Sequence, residues 1–194
     1  MMVLGIYGSP RKAGNTDLML DAFLDGAAKA GGEVQRLYSR DLNIQGCLEC
    51  GHCDKEGKCI LEDDMQQVYP LLEAAHRIVV ASPIFFYGVT GQLKLLIDRT
   101  QALYMKTELT GKAGADLAAL RSQRRGFFLS AGATRGKRLF DCAILTMKYF
   151  FDAINMDPAG ELCFWQVEHR GVIKDHPTAL ADCYQAGTRF VTGE

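Results

Sequence analysis

Met2-Val3-Leu4-Gly5-Ile6-Tyr7-Gly8-Ser9-Pro10-Arg11-Lys12-Ala13-Gly14-Asn15-Thr16 changes character between Tyr7 and Gly8. The run up to Tyr7 is continuously apolar, which suits a strand covered on both faces, and Gly8-Ser9-Pro10 closes it with a loop. Beyond the loop, Leu20, Phe23, Leu24 and Ala27 recur at i, i+3, i+4 and i+7. A helix follows, with Asn15 or Thr16 as its cap and Asp17 at its positive end. Gly31-Gly32 stops it, and Glu33 to Tyr38 reads as a second strand.

The same alternation continues down the chain. Asp63-Asp64-Met65 opens a helix that Pro70 is expected to kink or restart, giving two short pieces, because a mid-helix proline costs about 3 kcal/mol. Ile78 to Ala81 is a third buried strand closed by Ser82-Pro83, and Thr90 to Tyr104 returns to helical spacing. Lys106 to Arg125, with Gly111, Lys112 and Gly114, reads as a polar loop before a fourth strand at Phe127-Phe128-Leu129. Phe140, Ile144, Met147, Phe151 and Ile154 mark a helix, Gly160 to Val167 a last strand, and Thr178 to Phe190 a closing helix. Strands alternating with helices imply an α/β fold, a doubly wound parallel sheet with helices on both faces. At 194 residues the chain fits one domain over 1–194. Only a Cys-rich stretch at about 44–62 breaks the pattern, as an insertion after the second strand.

Composition removes several function classes. Lys plus Arg number 22 against 23 Asp plus Glu, so no basic excess exists to neutralise nucleic-acid phosphates. No apolar run approaches a membrane span, and Met1 to Pro10 lacks the basic and apolar regions of a signal peptide. The expected compartment is the cytoplasm, where the seven cysteines stay reduced and serve as core, catalytic or metal-binding groups.

Ligands of a parallel α/β sheet bind beyond the carboxyl ends of its strands, so the loops after the first, third and fourth strands are the places to look. Gly8 to Thr16 offers hydroxyls, an amide, two cations and a helix N-terminus, a set that can surround a phosphate. Gly5, Gly8 and Gly14 do not fit the dinucleotide fingerprint, and no Lys stands between Gly14 and Asn15-Thr16 as the Walker pattern requires. A terminal monophosphate suits the loop better. Gly8-Ser9-Pro10-Arg11 with Gly14-Asn15-Thr16 resembles the flavodoxin-like NADPH-dependent FMN reductases. The resemblance implies a five-stranded sheet of order 2-1-3-4-5, FMN as cofactor, and Ser9, Arg11, Asn15 and Thr16 as contacts of its phosphate.

Pro83-Ile84-Phe85-Phe86-Tyr87-Gly88 places three aromatics directly after a buried strand, and a planar apolar ligand would explain such exposure in a loop. These residues, with Ser130, Ala131 and Gly132 of the third loop, are where the isoalloxazine ring is expected to lie. Phe85 stands where relatives often have Tyr. Asp98-Arg99 reads as a structural ion pair or helix-end pairing.

Cys47, Cys50, Cys53 and Cys59 form C-x2-C-x2-C-x5-C within thirteen residues. A compact triplet of this kind suits a [4Fe–4S] cluster, whereas structural zinc usually takes two C-x2-C pairs separated by a longer loop. The alternative is a thiol-bearing flap over the flavin or a subunit partner. The motif narrows the resemblance to the iron–sulfur flavoprotein branch, which carries four compact cysteines at this point. His52 inside the motif reads as an exposed loop residue, and Cys142, Cys163 and Cys183 as core packing.

The resemblance implies an FMN-dependent oxidoreductase. Electrons would come from NAD(P)H or reduced ferredoxin and pass through FMN, and through the cluster where one is present, to a small-molecule or protein acceptor. No side chain is expected to act as acid, base or nucleophile. The alternative is a non-enzymatic flavodoxin-like electron carrier, although small flavodoxins are strongly acidic and this chain is almost neutral. The aromatic loop and cysteine flap suggest a homodimer or homotetramer sharing the flavin site.

Overall fold

The computed structural model describes residues 1–111 and 115–193. Strand β1 (Met2–Tyr7) lies inside the sheet, and helix α1 (Asn15–Lys29) and strand β2 (Glu33–Tyr38) follow as the apolar periodicity requires. The cysteine-rich segment carries one short helix, α2 (His52–Glu56), between Gly51 and Gly57, both with positive φ. Then come α3 (Met65–Ala74), β3 (Arg77–Pro83), α4 (Gly91–Arg99), α5 (Gln101–Leu109) and α6 (Ala115–Ser122). Strand β4 (Arg125–Ala131), α7 (Asp141–Ala153), β5 (Asp157–Phe164) and α8 (Ala179–Thr192) complete the chain.

The strands form one sheet of order β2-β1-β3-β4-β5, parallel throughout. Alternate side chains of each strand feed two separate cores, as the period of two demands. Leu4, Ile6, Ile78, Val80 and Phe128 face α3, α4, α5 and α7. Val3, Tyr7, Val79, Ala81 and Leu129 face α1 and α8. Those two helices touch backbone to backbone. A Cβ on Gly187 would stand 1.9 Å from Phe23 O, and one on Gly26 would stand 2.0 Å from Tyr184 O.

Several expectations are corrected. Gly14, not Asn15 or Thr16, is the cap position of α1, and it supplies no side-chain hydrogen bond. Asn15 is spent elsewhere, because its amide donates to His169 O at 2.8 Å and its oxygen accepts from Ile173 N at 3.2 Å. Pro70 does not split α3, since it sits on the solvent face while Met65, Val68, Tyr69 and Leu72 hold both halves of the helix in the core. The single stretch expected from Thr90 to Tyr104 is two helices, with Thr90 capping α4 through its hydroxyl and Thr100 between them.

The expected loop at Lys106 to Arg125 carries the end of α5 and all of α6, where Leu117, Leu120 and alanines favour a helix. Lys112 and Gly114 of that stretch lie outside the described residues. The last strand begins three residues earlier than expected. Its register slips between Gly126 and Phe127, and Gly160 takes φ 135°, so a bulge shifts the pattern. Cys183 is in the core as expected, whereas Cys142 lies exposed on α7. All seven cysteines are free thiols. No helix among the described residues is long and apolar enough to cross a membrane.

Candidate functional site

A cleft opens at the carboxyl ends of the central strands. Its walls come from Ser9, Pro10, Arg11, Gly14, Asn15 and Thr16 after β1, Pro83, Ile84 and Phe85 after β3, and Ala131, Gly132 and Ala133 after β4. Val167 and Glu168 after β5 close the remaining side.

The floor presents free backbone donors. With no side-chain cap on α1, the backbone N–H groups of Asn15, Thr16 and Asp17 have no partner among the described residues. Such first-turn donors, aligned with the helix dipole, form a ready anion seat. The Arg11 guanidinium is exposed beside them without a carboxylate partner among the described residues. Ser9 shapes the loop, its hydroxyl accepting Arg11 N–H at 3.1 Å. A Cβ on Gly14 would press to 3.0 Å from Arg11 O, so the turn closes tightly there.

Two charged groups brace the loop from below. Asp17, almost fully buried, accepts Ala13 N–H at 3.0 Å, and Arg40 donates to Ser9 O at 3.1 Å. Burial pushes the Asp17 carboxyl above its ordinary pKa, while Arg40 and the Ala13 N–H pull against that shift. On the far side, the segment after β5 latches the loop through Asn15 and through Arg170 Nη2, which donates to Lys12 O at 2.8 Å.

The second loop is a two-residue hairpin. Phe85 and Gly88 exchange both backbone hydrogen bonds at 3.0 Å, and Phe86 and Tyr87 between them take φ 49° and 65°. Phe85 faces the cleft, while Phe86, fully exposed, and Tyr87 project outward. Gly88 closes the hairpin rather than lining the cleft. Ser130 is fully buried and donates to Ser82 O at 2.8 Å, so its hydroxyl supports the strand ends from behind.

Of the residues marked from sequence, Ser9, Arg11, Asn15, Thr16, Pro83, Ile84, Phe85, Ala131 and Gly132 meet in the cleft. Phe86, Tyr87, Gly88 and Ser130 do not line it. Val167 and Glu168 were missed, although their signal was available, since the rule about carboxyl ends applies to the last strand as well.

The four motif cysteines gather round a second cavity. Cys47, Cys50, Cys53 and Cys59 line it with Leu48, Ile60, Leu61 and Gln101. Glu49 N–H donates to Cys47 Sγ at 3.4 Å, a contact that the positive φ of Glu49 permits. Burial, helped by Asp54 and by the neighbouring thiols Cys47 and Cys59, raises the Cys53 thiol above its ordinary pKa. Among the described residues no three His, Cys, Asp or Glu groups converge on a single metal ion. The four cysteines line one open cavity instead.

A doubly wound parallel sheet of order β2-β1-β3-β4-β5, with a cleft at its first loop and no dinucleotide fingerprint, defines a flavodoxin-like fold. The family described as NADPH-dependent FMN reductase matches residues 1–135, and the chain belongs to that family. An iron-sulfur flavoprotein of Methanocaldococcus jannaschii is 36% identical over 126 residues, covering 65% of this chain and 65% of the relative. The match spans less than two thirds of that relative's length. Among solved structures, an NAD(P)H:quinone oxidoreductase from Methanothermobacter marburgensis superposes with TM-score 0.75 at 13% identity, covering 97% of this chain and 95% of that one. A flavodoxin from the domain Archaea gives TM-score 0.57 at 16% identity, covering 100% of this chain and 98% of the other.

Proposed function

We propose that the chain binds FMN in the cleft and acts as an FMN-dependent NAD(P)H oxidoreductase of the iron–sulfur flavoprotein type. The observation that carries this reading is the uncapped first turn of α1, whose free Asn15 and Thr16 N–H groups belong to residues lining a cleft walled by Phe85 and Ile84. FMN, when bound, supplies exchange between two-electron and one-electron carriers. The residues present fit it. Ser9, Arg11, Asn15 and Thr16 hold the phosphate, Pro83 to Phe85 and Ala131 to Gly132 hold the ring, and Phe86 to Gly88 with Ser130 keep that wall in place. Ala133 N–H, in the cleft wall and unpartnered among the described residues, is available to a ring heteroatom.

Cys47, Cys50, Cys53 and Cys59 fit a [4Fe–4S] cluster on the same reading, supported by the cavity they ring and the N–H donated to Cys47 Sγ. NAD(P)H or reduced ferredoxin is the donor and a small molecule or protein the acceptor, in the cytoplasm. Assembly into a homodimer or homotetramer is supported by the fully exposed Phe86 beside the cleft.

Anaerobic purification with flavin, iron and acid-labile sulfide measured on one sample tests the cofactors. Flavin without iron would remove the cluster and keep the rest. FMN is expected to bind at least tenfold tighter than riboflavin, and equal affinities would overturn the phosphate seat. Stopped-flow mixing is expected to bleach the flavin with NADPH or NADH. Failure with both nucleotides but rapid exchange with reduced ferredoxin would favour a non-enzymatic electron carrier.

A further inference from the structure

Arg99, the last residue of α4, is 1% exposed. Its Nη1 donates to Asp63 Oδ2 at 2.6 Å and to Gln45 O at 2.9 Å. Its Nη2 donates to Asp63 Oδ1 at 3.2 Å and reaches Leu61 O at 3.4 Å. Nε, equally buried, has no partner, and among the described residues it is the one buried side-chain nitrogen or oxygen left so. A buried donor in that condition lacks the hydrogen bond that native structures almost always supply, so a group that belongs beside it is the natural explanation.

The surroundings point to the cysteine cavity. Gln45 and Leu61 are the residues just outside Cys47 and Cys59, so Arg99 holds both stems of the flap. Tyr69 donates its hydroxyl to Arg99 O at 3.0 Å, and Gln66 Nε2 donates to Cys59 O at 3.2 Å. Cys59 packs against the same core cluster as Tyr69 and Ile97. Asp63 engages both Nη atoms, so Nε is the edge of the guanidinium left open.

We propose that Arg99 is a positioning residue for the iron–sulfur cluster, its free Nε–H directed to the Cys59 corner and its buried charge favouring the reduced form. This rests on the reading that the four cysteines hold a [4Fe–4S] cluster. A cubane bound by four thiolates becomes more negative on taking up one electron, so a fixed cation in a low-dielectric wall raises its potential. Asp63 keeps the guanidinium plane in register by engaging Nη1 and Nη2, and it leaves the Nε–H edge free.

The test uses the full chain, purified anaerobically, with iron, sulfide and FMN per chain and an EPR-monitored redox titration. The R99Q/D63N double variant removes both charges without leaving either buried alone. It is expected to retain FMN and to reduce its cluster at least tenfold less favourably, which for one electron is about 59 mV. R99K, which keeps charge but loses Nε–H, is expected to shift in the same direction by less, and it decides the question if the double variant loses FMN. A native potential in a variant that holds its cluster overturns the role of Arg99 while leaving the cluster intact. Wild-type protein with flavin but no iron overturns both.

Discussion

Arg40 Nη1 lies 3.0 Å from Asp17 Oδ2, the same oxygen that accepts the Ala13 N–H, so one ion pair fixes the middle of the first loop from beneath. Ala13 takes φ 52°, a conformation that a non-glycine residue keeps only under such restraint. Replacing Arg40 with Ala leaves a buried carboxylate unpaired, at a cost of about 3–5 kcal/mol. The expected outcome is a lower melting temperature and an FMN dissociation constant raised at least tenfold. Fluorescence titration with FMN checks it, and R40K is expected to recover part of the loss.

Gly187→Ala tests the contact between α1 and α8. Its new Cβ would meet the Phe23 carbonyl at 1.9 Å, and a backbone atom cannot rotate away. Overpacking of this kind costs about 3 kcal/mol, which for a domain of this size lowers Tm by roughly 6–12 °C. Differential scanning calorimetry reads the shift, while FMN affinity at low temperature is expected to stay native.

Asp63 predicts a signature in acid. Burial tends to raise its pKa, but hydrogen bonds from Arg99, Gln45 N–H and Met65 N–H outweigh burial and bring it below the ordinary 3.8. A carboxyl lowered on folding stabilises the native state fully above its unfolded pKa, and that stability disappears as pH falls through the folded value. Melting temperatures followed from pH 6 down to pH 2 are therefore expected to fall less steeply in Asp63→Asn than in the native chain. Its stability at pH 6 is expected to be lower by about 3 kcal/mol.

Phe86→Gly separates strain from assembly. The hairpin holds Phe86 at positive φ at a cost of about 1–2 kcal/mol, which glycine does not incur. The variant is expected to melt no lower than the native chain, yet to shift toward monomer in sedimentation. An unchanged sedimentation coefficient would remove Phe86 from the subunit contact.

The doubly wound order and the first loop were legible because a strand buried on both faces has no alternative to an apolar run, as Met2 to Tyr7 shows. Helix α6 was hidden because glycines near it read as loop, and the start of β5 because a bulge at Gly160 shifts its apolar pattern. Asn15 was legible as a loop residue but not as a latch, since its partners His169 and Ile173 come from the far end of the chain. Arg99 misled in the same way. Asp98 beside it pairs with Lys94, while the partner of Arg99 lies thirty-six residues away. Neighbours in sequence announce helices, but the contacts that brace a site join segments whose separation no local pattern records.

Thr90, the cap of α4, donates its hydroxyl to Gly8 O beneath the first loop, while Arg99 at the other end of the same helix holds Gln45 O at the base of the cysteine-rich segment. A nine-residue rod about 13.5 Å long therefore sets the interval between these two segments. One residue added within it would swing Arg99 about 100° round the axis and push it 1.5 Å onward. The helix acts as a ruler, and the spacing of the two segments is written in its residue count.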